Sequence, residues 1–80
     1  YRNALVAGLP GGVTVSHKFG EGGVMGGERQ LQDCGIVYYP GRPYLLCVMA
    51  KGTKLENLEK FIKAVSRLVY YSVDTSVRKK

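Results

Sequence analysis

The fold of this chain is decided by the stretch CGIVYYPGRPYLLCVMA, which runs from Cys34 to Ala50. Two apolar runs, Cys34 to Tyr39 and Tyr44 to Ala50, flank a Pro-Gly-Arg-Pro segment whose residues are typical of a turn. This pattern predicts an antiparallel hairpin with a loop of about four residues. Both runs are apolar on both faces, whereas a strand with one wet face would alternate. The hairpin is therefore expected to need cover on both sides.

A further strand and a helix end are predicted before the hairpin. Residues 13–19 alternate, which places one set on one face (Val13, Val15, His17, Phe19) and the other set on the opposite face (Thr14, Ser16, Lys18). Asn3 to Gly8 is typical of the last turn of a helix, with Gly8 as a left-handed C-cap and Pro10 after it. The glycine-rich, polar residues from Gly20 to Asp33 predict a mobile connection with irregular strand at its end.

A long helix is predicted after the hairpin. Thr53 and Glu56 have the spacing of a capping box, and the helix is expected to continue to about Ser72. Its apolar stripe would comprise Leu55, Leu58, Phe61, Ile62, Val65, Leu68 and Val69. The sequence thus predicts an α+β fold, a three-stranded antiparallel sheet with a C-terminal helix packed on it. Residues 1–75 would form this unit, and residues 76–80 a flexible basic tail.

The two cysteines, Cys34 and Cys47, both lie in apolar runs. If the hairpin closed at Tyr39 and Tyr44, the two sulfurs would be diagonal neighbours on one face. The expectation is two buried thiols, and a disulfide is not expected. With one histidine and no Cys-His cluster at metal-ligand spacing, neither a metal nor a cofactor is expected.

The net charge of +6 allows an acidic partner, but the simpler interpretation is a solvated helix face and a basic tail. Lys60, Lys63 and Arg67 recur at helical spacing, and no known nucleic-acid motif accompanies them. Nucleic acid is therefore not expected as a partner. No apolar run approaches the ~20 residues of a membrane span.

The segment LPGGVTVSHKFGE, from Leu9 to Glu21, resembles the part of class A β-lactamases and related penicillin-recognising serine hydrolases that carries their Lys-Thr-Gly box. In that family a Gly-Leu-Pro helix end leads into the box strand. Here Lys18-Phe19-Gly20 stands at the box. The later hairpin and the helix from Thr53 are similar to the family's next elements in the same order.

The resemblance implies an enzyme that transfers an acyl group from a β-lactam or a related amide or ester through a serine. Lys18 would be the cation that supports proton transfer and attracts a substrate carboxylate. Phe19, Gly20 and Gly22 would line the substrate, and the backbone N–H of Glu21 would be one oxyanion donor. The resemblance also implies a bacterial parent that is secreted or associated with the envelope.

Two departures from the family pattern bear on activity. The Ser-x-x-Lys nucleophile motif is not among these residues, so the 80-residue chain is expected to be inactive alone and to act with the remainder of the enzyme. The middle box position is Phe19, which has no hydroxyl to bind a substrate carboxylate. A second hypothesis is a stand-alone interaction module in which a second copy covers the apolar sheet face.

Overall fold

The computed structural model describes residues 3–23 and 25–79, with the backbone alone for Met25. A short helix comes first and a long helix last, with three strands between them: α1 (Ala4–Ala7), β1 (Val15–Gly23), β2 (Arg29–Val37), β3 (Tyr44–Gly52) and α2 (Leu55–Arg78). The strands form an antiparallel sheet in the order β1-β2-β3. The predicted α+β arrangement, a three-stranded antiparallel sheet with a C-terminal helix, is confirmed.

One face of the sheet, called here the inner face, packs against both helices. Its residues join those of α1 and α2 in a single core, whose buried members are Ala4, Leu5, Leu31, Val37, Val48, Leu58 and Ile62. The opposite, outer face has no helix of the described chain upon it. It exposes large apolar side chains, including Leu45, which is 72% exposed, and Met49, which is 56% exposed.

The glycine-rich segment is mostly strand, so the expectation of a mobile connection from Gly20 to Asp33 is wrong. β1 continues to Gly23, β2 begins at Arg29, and the two residues pair at the end of the ladder. An ion pair between Glu21 and Arg29 ties the strands near this end. Two glycines of this segment are needed for the turn between the strands, because φ is +82° at Gly26 and +78° at Gly27.

The hairpin register differs from the expected one by two residues, and this changes the state of the cysteines. Val37 pairs with Tyr44, so Cys34 lies directly opposite Cys47 rather than diagonal to it. The Cα atoms of the two cysteines are 4.0 Å apart, and the sulfurs form a disulfide. The expectation of two free thiols is therefore wrong. The loop is wider because the Tyr38 N–H donates to Thr14 of the strand segment before β1, and because Tyr39 turns towards α2.

The long helix α2 is shifted at both ends from its predicted bounds. It begins at Leu55 with Lys54 as N-cap and no side-chain cap, so the Thr53–Glu56 capping box does not form. Instead, the Lys54 carbonyl accepts the amides of Asn57 and Leu58. The helix continues past Ser72 to Arg78, so its last turn includes part of the expected tail; Lys80 lies outside the described residues.

The apolar stripe of α2 is narrower than predicted. Leu58, Ile62 and Ser66 are its buried residues, four apart in sequence, and they face the sheet and α1. Phe61 is 52% exposed and Leu68 is 72% exposed, so these two lie outside the packed face.

The close packing of α1 on α2 depends on Gly8. This residue is in the right-handed region, with φ of −81°, so the predicted left-handed cap is not formed. A Cβ atom at this position would collide with the carbonyl oxygen of Lys63 and would lie 2.9 Å from the amide of Arg67. Glycine is needed here for close approach of two backbones, and not for a special φ angle.

Candidate active-site strand

The candidate site lies on β1, which is an edge strand of the sheet in the described chain. The predicted alternation is confirmed: His17 and Phe19 face the core side, and Ser16 and Lys18 face outward. The register extends this pattern, so Lys18, Gly20 and Gly22 share the outer face. Of the residues proposed from sequence, these three are brought together.

The backbone pattern of β1 decides which amides are available at its open edge. The Tyr38 N–H donates to the Thr14 carbonyl, which makes Thr14 and Tyr38 a hydrogen-bonded pair at the start of the ladder. In a regular antiparallel ladder, hydrogen-bonded and non-hydrogen-bonded pairs alternate. The unbroken register therefore directs the amides of Lys18 and Gly20 towards β2 and that of Glu21 away from it. An N–H at the open edge is what an oxyanion donor requires.

The two outer-face glycines differ in the space above them. A Cβ atom at Gly22 would meet nothing within 4 Å, so the strand is open there. A Cβ atom at Gly20 would lie 3.0 Å from Cγ and Nε2 of Gln32, because the Gln32 side chain lies over Gly20. Gln32 was not predicted from the sequence, because its position opposite Gly20 depends on the register of β1 and β2.

Phe19 and the Glu21 side chain lie apart from the outer-face group. Phe19 is partly buried and packs against the core cluster, on the face opposite to Lys18. The Glu21 carboxylate pairs with Arg29. The group that Glu21 can offer to a ligand at the edge is therefore its backbone N–H. The ring of Phe19 therefore anchors the strand that carries Lys18.

A buried carboxylate holds the candidate strand to the rest of the fold. Asp33 of β2 is fully buried, and its Oδ1 lies 2.8 Å from Nδ1 of His17, the residue before Lys18. Its Oδ2 accepts the amide of Leu5 in α1 at 3.3 Å. Ser66 of α2 donates to the carbonyl of the same leucine at 2.6 Å. Asp33 was not predicted as a structural residue from the sequence, although it alternates with less buried residues along β2 and shares the buried face with Leu31 and Val37.

A second polar cluster fixes the end of α2 to the hairpin loop. The Tyr39 hydroxyl donates to Asp74 at 2.6 Å, and Arg78 donates to both carboxylate oxygens at 3.0 Å. The hydrogen bond from Tyr39, followed by that from Arg78, lowers the pKa of Asp74. The same hydrogen bond raises the pKa of Tyr39. The Tyr39 ring also contacts Tyr70, with centroids 5.6 Å apart.

Two other classes of site are not found in the described ranges 3–23 and 25–79. No group of three or more His, Cys, Asp or Glu residues is placed to hold a metal ion there. None of the helices in the described part of the chain combines the length and the apolar character of a membrane span.

Comparison with known families finds one family whose model matches most of the chain. The model of the Beta-lactamase enzyme family matches residues 1–73, which include α1, the whole sheet and most of α2. The chain belongs to the Beta-lactamase enzyme family. No curated protein and no solved structure matches this β-lactamase-family chain. The matched residues include the whole of β1 and therefore Lys18, Gly20 and Gly22.

Proposed function

We propose that this chain supplies one wall of the active site of a β-lactamase-like serine hydrolase. The observation that carries the proposal is the geometry of β1, in which the Glu21 amide faces the open edge. Lys18, Gly20 and Gly22 share the adjacent outer face. A cation and an N–H donor near one open strand are suited to a substrate that carries a carboxylate and a carbonyl.

Each of these residues has a distinct proposed role. The Lys18 ammonium attracts the substrate carboxylate and supports proton transfer to and from the nucleophile. The Glu21 amide stabilises the oxyanion that forms when the carbonyl is attacked. Gly22 leaves the strand open for substrate, whereas at Gly20 the Gln32 side chain must move or become part of the binding surface. Phe19 supports the site from the core and gives no hydroxyl to the substrate.

The nucleophile is proposed to come from the remainder of the enzyme. A serine in a Ser-x-x-Lys motif would approach the outer face from outside the described residues. The exposed apolar side chains on that face support such a cover, because exposed apolar patches often mark contact surfaces. An oxidising location, secreted or at the bacterial envelope, is supported by the Cys34–Cys47 disulfide.

The test uses the longest natural polypeptide that contains these 80 residues. We expect it to be acylated by a fluorescent penicillin or to hydrolyse a chromogenic cephalosporin, while the 80-residue chain alone does neither. Acylation should disappear when the serine of its Ser-x-x-Lys motif is changed to alanine. If the longer polypeptide shows neither acylation nor turnover, the β-lactam part of the proposal is wrong.

A second candidate function is an interaction module that forms a dimer through the outer face. The observation in its favour is that Ile36, Leu45 and Met49 lie exposed on this face. Light scattering of the 80-residue chain separates the two proposals. A defined dimer that folds cooperatively would favour the module, and Leu45→Lys should then dissociate it. A monomer, or a chain that associates without a fixed size, would favour the wall of a larger enzyme.

A further inference from the structure

The Cys34–Cys47 disulfide lies on the outer face of the sheet and takes no part in the core. The two cysteines pair across β2 and β3, while the residues that pack against the helices point the other way. Cys47 is exposed and Cys34 is half-buried. A thiol in solution can therefore approach the sulfur of Cys47 without unfolding the core.

The two sulfurs have different surroundings. Cys34 is the register partner of Lys18 on β1, so the Lys18 ammonium and the Cys34 sulfur lie on the same face of adjacent strands. Cys47 lies on β3 between two apolar residues of the same face, Leu45 and Met49. A thiolate is stabilised by a nearby ammonium group and destabilised by apolar surroundings.

The three strands place no carboxylate on this face of the sheet. The register and the alternation of the three strands place the following residues on the outer face: Ser16, Lys18, Gly20, Gly22, Gln30, Gln32, Cys34, Ile36, Leu45, Cys47, Met49 and Lys51. The strand carboxylates, Glu21 and Asp33, belong to the other phase. The only charges on the outer face of these strands are thus two lysines, of which Lys18 is the one beside the disulfide.

We propose that the Cys34–Cys47 disulfide is a thiol-exchange site in which Lys18 makes Cys34 the leaving group. The thiolate of a small-molecule thiol attacks Sγ of Cys47, the sulfur–sulfur bond breaks, and its electron pair leaves on Sγ of Cys34. This gives a mixed disulfide on Cys47 and a Cys34 thiolate beside Lys18. A second thiol then releases the Cys47 thiolate, so two thiols are oxidised to one disulfide as the protein disulfide is reduced.

In an enzyme whose cover leaves Cys47 open to solvent, reduction would also control the proposed active site. A Cys34 thiolate paired with Lys18 would compete with the substrate carboxylate for the same ammonium group. This consequence rests on the proposed function, whereas the exchange reaction itself does not. A protein domain or second copy packed on Leu45 and Met49 would shield the sulfur of Cys47. The exchange rate therefore also reports whether the outer face is covered.

The test is exchange of the oxidised, folded 80-residue chain with reduced glutathione at pH 7, quenched with acid and mapped by mass spectrometry. We expect the first mixed disulfide on Cys47. Lys18→Gln should slow its formation about threefold through the poorer leaving group. Lys51→Gln removes the same charge from the same face away from the disulfide, and should leave the rate unchanged.

Three results would overturn the proposal. They are a first adduct on Cys34, equal rates for the two lysine variants, or reaction only under conditions that unfold the chain, as followed by circular dichroism. If Lys18→Gln is less folded than Lys51→Gln, the two variants cannot be compared. The exchange rate of the unsubstituted chain is then measured at low salt and in 1 M salt, because salt screens the charge of the Lys18 ammonium. No slowing of exchange by salt would then count against the role of Lys18. None of these measurements uses a lactam, so their failure is distinct from failure of the proposed hydrolase function.

Discussion

Replacing the buried Asp33 with alanine should remove much of the stability of the fold. The carboxylate contacts Nδ1 of His17 and the amide of Leu5, and the whole residue is inaccessible to solvent. Hydrogen bonds to a charged group contribute about 1.5–3 kcal/mol each, and a buried donor left without a partner costs about 1–3 kcal/mol. We therefore expect a loss of roughly 3–5 kcal/mol, as when one member of a buried pair is removed.

This loss is large for a chain of this length, whose total stability is expected to be about 4–12 kcal/mol. Urea denaturation of the oxidised chain, followed by far-ultraviolet circular dichroism, measures it directly. With a slope of about 1–3 kcal/mol per molar urea, the midpoint should fall by roughly 2 M. Asp33→Asn keeps an acceptor oxygen and should lose less than Asp33→Ala.

The control for this prediction is Glu21→Ala. Glu21 is the other carboxylate of the β1–β2 pair, but its ion pair with Arg29 is exposed, so its loss should cost no more than about 1 kcal/mol. If Asp33→Ala proved no more destabilising than Glu21→Ala, the buried carboxylate would not be what holds α1, β1 and β2 together.

Four further predictions concern the packing of α1, the contact between Tyr39 and Asp74, and the edge strand. Gly8→Ala should destabilise the chain by about 1–3 kcal/mol in the same urea assay, because its Cβ meets the backbone of α2, and an unchanged midpoint would contradict this packing. Asp74 has a lowered pKa, so its contribution to stability is present above its ordinary pKa and is lost as the pH falls through the folded value; Asp74→Asn should remove that acid-side loss from a pH series of melting temperatures. Tyr39 has a raised pKa, so its contribution is present below its ordinary pKa and is lost as the pH rises through the folded value, and Tyr39→Phe should abolish that alkaline loss. In hydrogen exchange, the amides of Lys18 and Gly20 should be protected and that of Glu21 should exchange rapidly; equal protection of the three would contradict the alternation along β1.

The parts of the fold that were predictable from sequence are those with a clear period. The alternation of residues 13–19 gave the correct faces for His17 and Lys18, because every side chain there agrees with a period of two. The hairpin was predictable in kind but not in register. A shift of two residues keeps every side chain on its original face, so the apolar pattern could not exclude it. That shift is what joins Cys34 to Cys47.

The features that were missed depend on the exact start of a helix or on contacts between residues distant in sequence. Thr53 and Glu56 have capping-box spacing, but the helix begins one residue later than the box requires. Phe61 and Leu68 match the helical period, yet both side chains are more than half exposed. The outer-face position of Lys18 was predictable, whereas the position of Gly20 in the same strand and the Gln32 side chain over it required the strand pairing.

The role of Lys18 is tested most directly by the acylation rate of the longer polypeptide with a labelled penicillin, compared between Lys18→Ala and Lys51→Ala. Both variants remove one ammonium group from the outer face of the sheet, but only Lys18 lies beside the open edge with the Glu21 amide. A group that supports proton transfer contributes about 10²–10⁴-fold, so Lys18→Ala should slow acylation by about 100-fold or more. Lys51→Ala should remain within about threefold of the unsubstituted enzyme. Similar rates for the two variants would contradict the assignment of β1 as the active-site strand.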